Sequence, residues 1–120
     1  MDKAEAFALR ILNFCEYVIE KNKTKSKIII NALIGQVVRS GTSVGANLSE
    51  AYFAQSEADF YCKVKISQKE AKETEYWLKL IYKKGYISKV EYESINEDCQ
   101  QLIAILTAIT KKLNQKVASK

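Results

Sequence analysis

Glu70 and Glu73 stand three residues apart, and Glu50 or Glu75 could join them. Carboxylates repeating at helical spacing on facing helices are a donor set for a hard metal ion. Lys69 and Lys72 alternate with these acids and would partly neutralise such a site, so a salt-bridged or solvated helix face is the simpler reading. The chain has no histidine, which excludes histidine-based triads and Glu-x-x-His di-iron centres. Cys15, Cys62 and Cys99 remain as nucleophiles. No base partners them, no two have metal-ligand spacing, and each falls on an apolar stripe. We read them as reduced core thiols. The expectation is a protein with no catalytic site, metal or cofactor.

The stretch RSGTSVGANLSEA, residues 39–51, places Gly41 and Gly45 four apart in a chain with only four glycines. A phosphate-cradling loop would need a preceding strand and a closing Gly-Lys-Ser/Thr. Neither is present, and a helical pattern runs through the segment. Each glycine costs a helix about 0.5–1 kcal/mol relative to alanine. Close approach of another helix or chain is the offsetting gain we expect, with Gly41 and Gly45 on one face. Beside them Arg39, Ser43, Asn47 and Glu50 form a polar ridge. If this helix and the next are antiparallel about Gln55–Ser56, Arg39 comes beside Lys72, within reach of Glu73 or Glu70. We expect an ion pair there, inside or at the edge of the domain. Its use would be to fix register and assembly, since such pairs add little net stability.

The net charge of +5 permits an acidic partner such as nucleic acid. Lys23, Lys25 and Lys27 cluster in one polar stretch, and Lys83, Lys84 and Lys89 surround Gly85. Further lysines lie at 63, 65, 69 and 72 and at 111, 112 and 116.

The elements that must hold these residues are helices. Proline is absent and 48% of residues are hydrophobic, so one domain with a real core is expected. The first helix spans about 3–21, with Phe7, Ile11, Phe14 and Val18 as its apolar stripe and an Asp2–Glu5 cap. The second spans about 27–53, using Ile30, Leu33, Val37 or Val38, Val44 and Leu48. The third, about 57–84, starts at a Ser56–Asp59 cap and runs through Phe60, Val64, Ser67, Ala71, Thr74, Leu78 and Ile81. Gly85 and Tyr86 read as its left-handed terminus. The fourth, about 89–113, follows a Ser88–Glu91 capping box and carries Tyr92, Ile95, Cys99, Leu102, Leu106, Ile109 and Leu113 as a heptad seam. The final NQKVASK should fray. Short links then give an all-α, antiparallel up-down-up-down four-helix bundle occupying 1–120 as a single domain. In that topology Lys23–Lys27 and Lys83–Lys89 share one end. No apolar run is long enough to span a membrane and the N-terminus is too interrupted for a signal peptide, so a cytoplasmic protein is expected.

The stretch from Gln36 to Ile87 also resembles the 23S rRNA intervening-sequence, or S23-like, proteins. The residues carrying the resemblance are Arg39, Ser40, Ser43, Val44, Asn47, Leu48, Glu50, Ser56, Phe60, Glu70, Glu73, Trp77, Leu78, Gly85, Tyr86 and Ile87. It covers about residues 7–113. Gly41 stands where that family often has alanine. The resemblance implies a left-handed bundle assembling as a ring, usually a homopentamer, and a similarity to the accessory variability proteins of diversity-generating retroelements. Those are basic pentamers that bind a reverse transcriptase and nucleic acid. The shared residues transfer as packing and assembly positions: Arg39, Ser40, Gly41, Ser43, Gly45, Asn47, Glu50, Glu70, Glu73 and Trp77. Together with the lysines grouped at one end by the bundle topology, the function expected is a non-enzymatic scaffold contacting RNA or DNA through Lys23, Lys25, Lys27, Lys83, Lys84 and Lys89. The alternative is a scaffold docking a partner enzyme without nucleic-acid contact, with Tyr52, Phe53, Tyr76 and Trp77 as anchors if exposed.

Overall fold

Apolar residues at steps of three and four, with no proline to interrupt them, give four long helices. The computed structural model describes residues 2–118, with side chains for residues 3–116. The helices are α1 (Asp2–Lys21), α2 (Lys27–Ala51), α3 (Glu57–Lys83) and α4 (Lys89–Ala118). They lie antiparallel in a bundle of 57 × 23 × 22 Å. Each helix packs closely on its neighbour in sequence, whereas α1 and α4 touch least. The core is built from Ile11, Val18, Val37, Val44, Val64, Leu78, Ile81, Ile95 and Leu106, all essentially without exposure. Burying each such side chain is worth about 1.5–3 kcal/mol.

Local signals set the ends. The Ser56 hydroxyl accepts from the Asp59 N–H at 3.1 Å. Gly85 has φ +85°, its N–H donates to Tyr82 O at 2.9 Å, and that of Tyr86 donates to Ile81 O at 3.2 Å. This pair of bonds is a Schellman terminus, which needs a left-handed residue and therefore favours glycine. The expected Asp2–Glu5 cap lies outside the described side chains.

Four expectations are corrected. The second helix ends at Ala51 rather than 53, because Tyr52 and Phe53 point outward and the chain tightens into i→i+3 bonds, Phe53 N–H to Glu50 O and Ala54 N–H to Ala51 O, both 3.1 Å. The fourth helix runs on past 113 to Ala118, since nothing in Asn114–Ala118 breaks a helix and Lys116 reaches Glu57 at 2.8 Å; Ser119 and Lys120 lie outside the described residues. Ile109 is 36% exposed while Thr110 is buried. A straight helix of 3.6 residues per turn drifts off a 3.5-residue seam, so the inward position after Leu106 moves to 110. Cys62 is exposed, unlike Cys15 and Cys99; two residues from buried Val64 lies about 200° round the helix. Burial pushes the Cys15 and Cys99 thiols up to about 12, which leaves them protonated and unreactive.

Candidate nucleic-acid interface and assembly face

Gly41 and Gly45 of α2 face α1 of the same chain. A Cβ on Gly41 would stand 2.9 Å from Ile11 Cγ2, and one on Gly45 would stand 3.6 Å from Ala4. The first distance is a clash and the second ordinary contact. Only Gly41 is required by packing, and the helix it admits is intramolecular. The small residues on the adjacent side of α2 admit α3. Ser67 Oγ donates to Val44 O at 2.8 Å, and Thr74 Oγ1 lies 2.9 Å from Ser40 Oγ, both buried. Ser40, Ser43 and Asn47 also donate to carbonyls one turn back in their own helix, Gln36, Arg39 and Ser43 respectively. Ser43 and Asn47 therefore make no side-chain hydrogen bond to another helix among the described residues.

Arg39 pairs with both of the expected acids of α3, Glu70 and Glu73. Nη1 lies 3.2 Å from Glu70 Oε2, Nη2 contacts Glu73, and Gln36 Oε1 accepts from Nε and Nη2. Trp77 Nε1 donates to Glu73 at 3.0 Å. The guanidinium is half exposed, so this network sits at the edge of the bundle, not inside. The carboxylates considered as metal ligands are thereby engaged elsewhere. Glu70 and Glu73 face Arg39, Glu50 lies 3.6 Å from Lys63, and Glu75 accepts from Gln100.

At one end the lysines converge as the topology requires. Lys25 Nζ donates to Gly85 O at 3.3 Å and lies 5.2 Å from the centre of the Tyr86 ring. Buried Asn22 ties the same two turns together, donating from Nδ2 to Val18 O at 2.8 Å and to Tyr86 O at 2.9 Å. Lys23 pairs with Glu20 at 3.1 Å and Lys89 with Glu93 at 3.8 Å. Lys27, Lys83 and Lys84 form no ion pair among the described residues, and all six lysines are exposed. The α2 N-terminus, with its positive dipole end, opens here without a side-chain cap.

Sequence reasoning missed the polar contacts across the α1–α4 seam. Arg10 reaches Asp98 at 2.5 Å and Ser94 Oγ at 2.6 Å, and Glu91 accepts from both Lys21, at 2.6 Å, and Tyr17. Glu91 also completes the α4 capping box, accepting from Ser88 N–H at 2.7 Å while its own N–H donates to Ser88 Oγ at 3.2 Å. The Lys21 ammonium, the Ser88 N–H and the Tyr17 hydroxyl hold the Glu91 carboxyl down at about 2, from an ordinary 4.5. A depressed carboxylate contributes stability that is present above the unfolded value and lost as pH falls through the folded one. Wild type should therefore lose its stability advantage over Glu91→Gln between pH 4.5 and about 2. Denaturant midpoints for the two proteins, measured across that window, should converge as the pH drops; a constant difference would refute the assignment.

The description of the family whose model matches residues 1–108 is 23S rRNA-intervening sequence protein. A crystal structure of a protein of unknown function from the S23 ribosomal protein family of Bacteroides thetaiotaomicron is 43% identical, with a TM-score of 0.81 over 92% of this chain and 96% of that chain. No curated protein matches the chain. Among the described residues no helix is long and apolar enough to cross a membrane. With a match over nearly the whole chain, and with Arg39, Glu70, Glu73 and Trp77 joined in one network on the bundle the comparison structure shares, the chain belongs to the family of 23S rRNA-intervening sequence proteins.

Proposed function

We propose that this protein is a non-enzymatic, cytoplasmic homo-oligomer, a pentamer by family resemblance, that presents its lysine-rich ends to RNA or DNA. The observation carrying this reading is the meeting of Lys23, Lys25 and Lys27 with Lys83, Lys84 and Lys89 at one end of the bundle, where Lys25 touches Gly85. Phosphate contacts of this kind recognise charge and backbone shape rather than base sequence. Repetition around an oligomer would turn a weak patch into a polyvalent one.

Support for self-association comes from the outer line of α2. Ile28, Ala32, Gly35, Thr42, Ala46 and, just beyond the helix, Phe53 follow one another at heptad-like spacing, and Ile28 and Phe53 are 83% and 85% exposed. Arg39 is the one charge on this line, and its guanidinium is drawn sideways onto Glu70 and Glu73. An internally compensated charge leaves a flat, small-residue surface that a second copy can cover at low desolvation cost. A scaffold docking a partner enzyme, such as a reverse transcriptase, is the second reading. Exposed Tyr52 and Phe53, at the end opposite the lysines, favour it.

Gel shifts with generic duplex DNA and RNA across a salt series, alongside light scattering, test the proposal. Binding should weaken steeply with salt, and Lys27, Lys83 and Lys84 all changed to Glu should lose affinity by about tenfold or more at low salt. Gly35→Glu should reduce the particle mass. No binding at any salt, or binding indifferent to the lysine changes, would leave the enzyme-docking scaffold. A wild-type monomer would remove the homo-oligomer.

A further inference from the structure

The end of the bundle away from the lysine cluster contains an apolar cavity of about 350 Å³. Its walls come from all four helices, including Ala4, Leu48, Phe60, Val64, Ile105 and Ile109. Small residues of α1 and α2, Ala4 and Ala51, are among its lining, and α1 and α4 touch least of the neighbouring pairs. Leu48 and Phe60 are left half-buried, and Ile105 and Ile109 are 38% and 36% exposed. A filled cavity would remove this surface from water, which is favourable in proportion to the apolar area covered.

The lining has a polarity as well as a shape. Among the described residues Lys3 is the only charged one in the lining, no acid lines it, and Lys3 forms no ion pair. An ammonium beside a low-dielectric wall attracts an anion more strongly than one in open water. With roughly 30 Å³ of liquid volume per water-sized unit, the cavity holds about a dozen non-hydrogen atoms. We propose that it binds a straight-chain monocarboxylate of about ten carbons, with the tail among Leu48, Phe60, Ile105 and Ile109 and the carboxylate on the Lys3 ammonium. This site is separate from the lysine-rich end, so it stands or falls independently of nucleic-acid binding.

Thermal-shift and calorimetric titrations of the full chain with decanoate below its micelle concentration, with decanol and acetate as comparison probes, test it. Decanoate should stabilise the protein saturably, decanol about fivefold more weakly, and acetate not at all. Lys3→Gln, a surface change that leaves packing alone, should bring decanoate down to the decanol level. Ile109→Trp, which fills the cavity, should abolish both. Equal binding of decanoate and decanol, or no saturable effect, would overturn the proposal. So would binding that survives Ile109→Trp. A decanoate-dependent loss of particle mass would assign the cavity to a second copy of the chain, and binding seen only on anionic vesicles would assign it to a lipid surface; either result overturns the proposal.

Discussion

Gly41→Leu is expected to cost the protein about 3 kcal/mol or more, enough to unfold a large fraction of molecules at physiological temperature. Even a single Cβ at this position would stand 2.9 and 3.0 Å from the two γ-carbons of Ile11. Ile11 has no room to yield, since it is completely buried in the core and its β-branched side chain has one strongly preferred rotamer in a helix. The clash must push α1 away from α2, which opens the closest interface α1 has. The opposing term, the gain in helix propensity on replacing glycine, is only about 1 kcal/mol and cannot cancel it. Ile11→Ala should itself be destabilising, by about 2–5 kcal/mol. In the Gly41→Leu background it should cost far less, or recover stability, because removing the Ile11 side chain makes the room that the added side chain then fills. Urea denaturation of the two single variants and the double variant measures this coupling. Additive effects would mean that Gly41 is not there to admit Ile11. Gly45→Ala is the internal control, since its Cβ would meet Ala4 at 3.6 Å.

Asn22→Leu should be the next most damaging change, at about 2–4 kcal/mol. Its side chain is nearly isosteric with leucine and lies 3% exposed, so packing volume is not what is lost. The amide group is. Nδ2 donates both to Val18 O, in the last turn of α1, and to Tyr86 O, in the turn between α3 and α4. Leucine would leave the Tyr86 carbonyl without this donor beside a buried apolar side chain. An unsatisfied buried acceptor costs more than the bond was worth. Beyond stability, the substitution unpins the two turns that hold Lys23–Lys27 beside Lys83–Lys89. Hydrogen exchange should rise at residues 22–27 and 84–88 while the middle of α3 keeps its protection. Unchanged exchange at both turns would show that Lys25 and the Tyr86 ring hold them together unaided.

The fold was legible because each of its determinants is local. Steps of three and four marked the inward faces, Ser56, Ser88 and Gly85 marked three helix ends, and the turn at Gln55–Ser56 fixed a register that places Arg39 on Glu70 and Glu73. The errors arose where local pattern underdetermines geometry. Cys62 was grouped with an apolar stripe that the helix turns away from, and Ile109 was held to a heptad that a straight helix does not keep. Pattern tells which way a side chain faces but not what it meets. Asn22 adjoins the polar stretch of Lys23, Lys25 and Lys27, and nothing in its neighbours announces Tyr86, distant in the chain. The same limit hid Arg10 with Asp98 and Tyr17 with Glu91. It also hid how the lysines divide, with Lys25 held on Gly85, Lys23 and Lys89 facing acids, and Lys27, Lys83 and Lys84 left over. The apolar cavity is likewise invisible from sequence, because it depends on how far two helices stand apart.

The sparse seam between α1 and α4 bears on how the chain reaches this shape. The three well-packed interfaces each join helices consecutive in the chain, so each closes through a short connection at little entropic cost. The pairing that spans the whole polypeptide carries the least packing and is bridged by charged and polar side chains. A nascent chain can therefore lay down one hairpin after another as it is synthesised, with only the α3–α4 interface and this sparse seam left to the last helix.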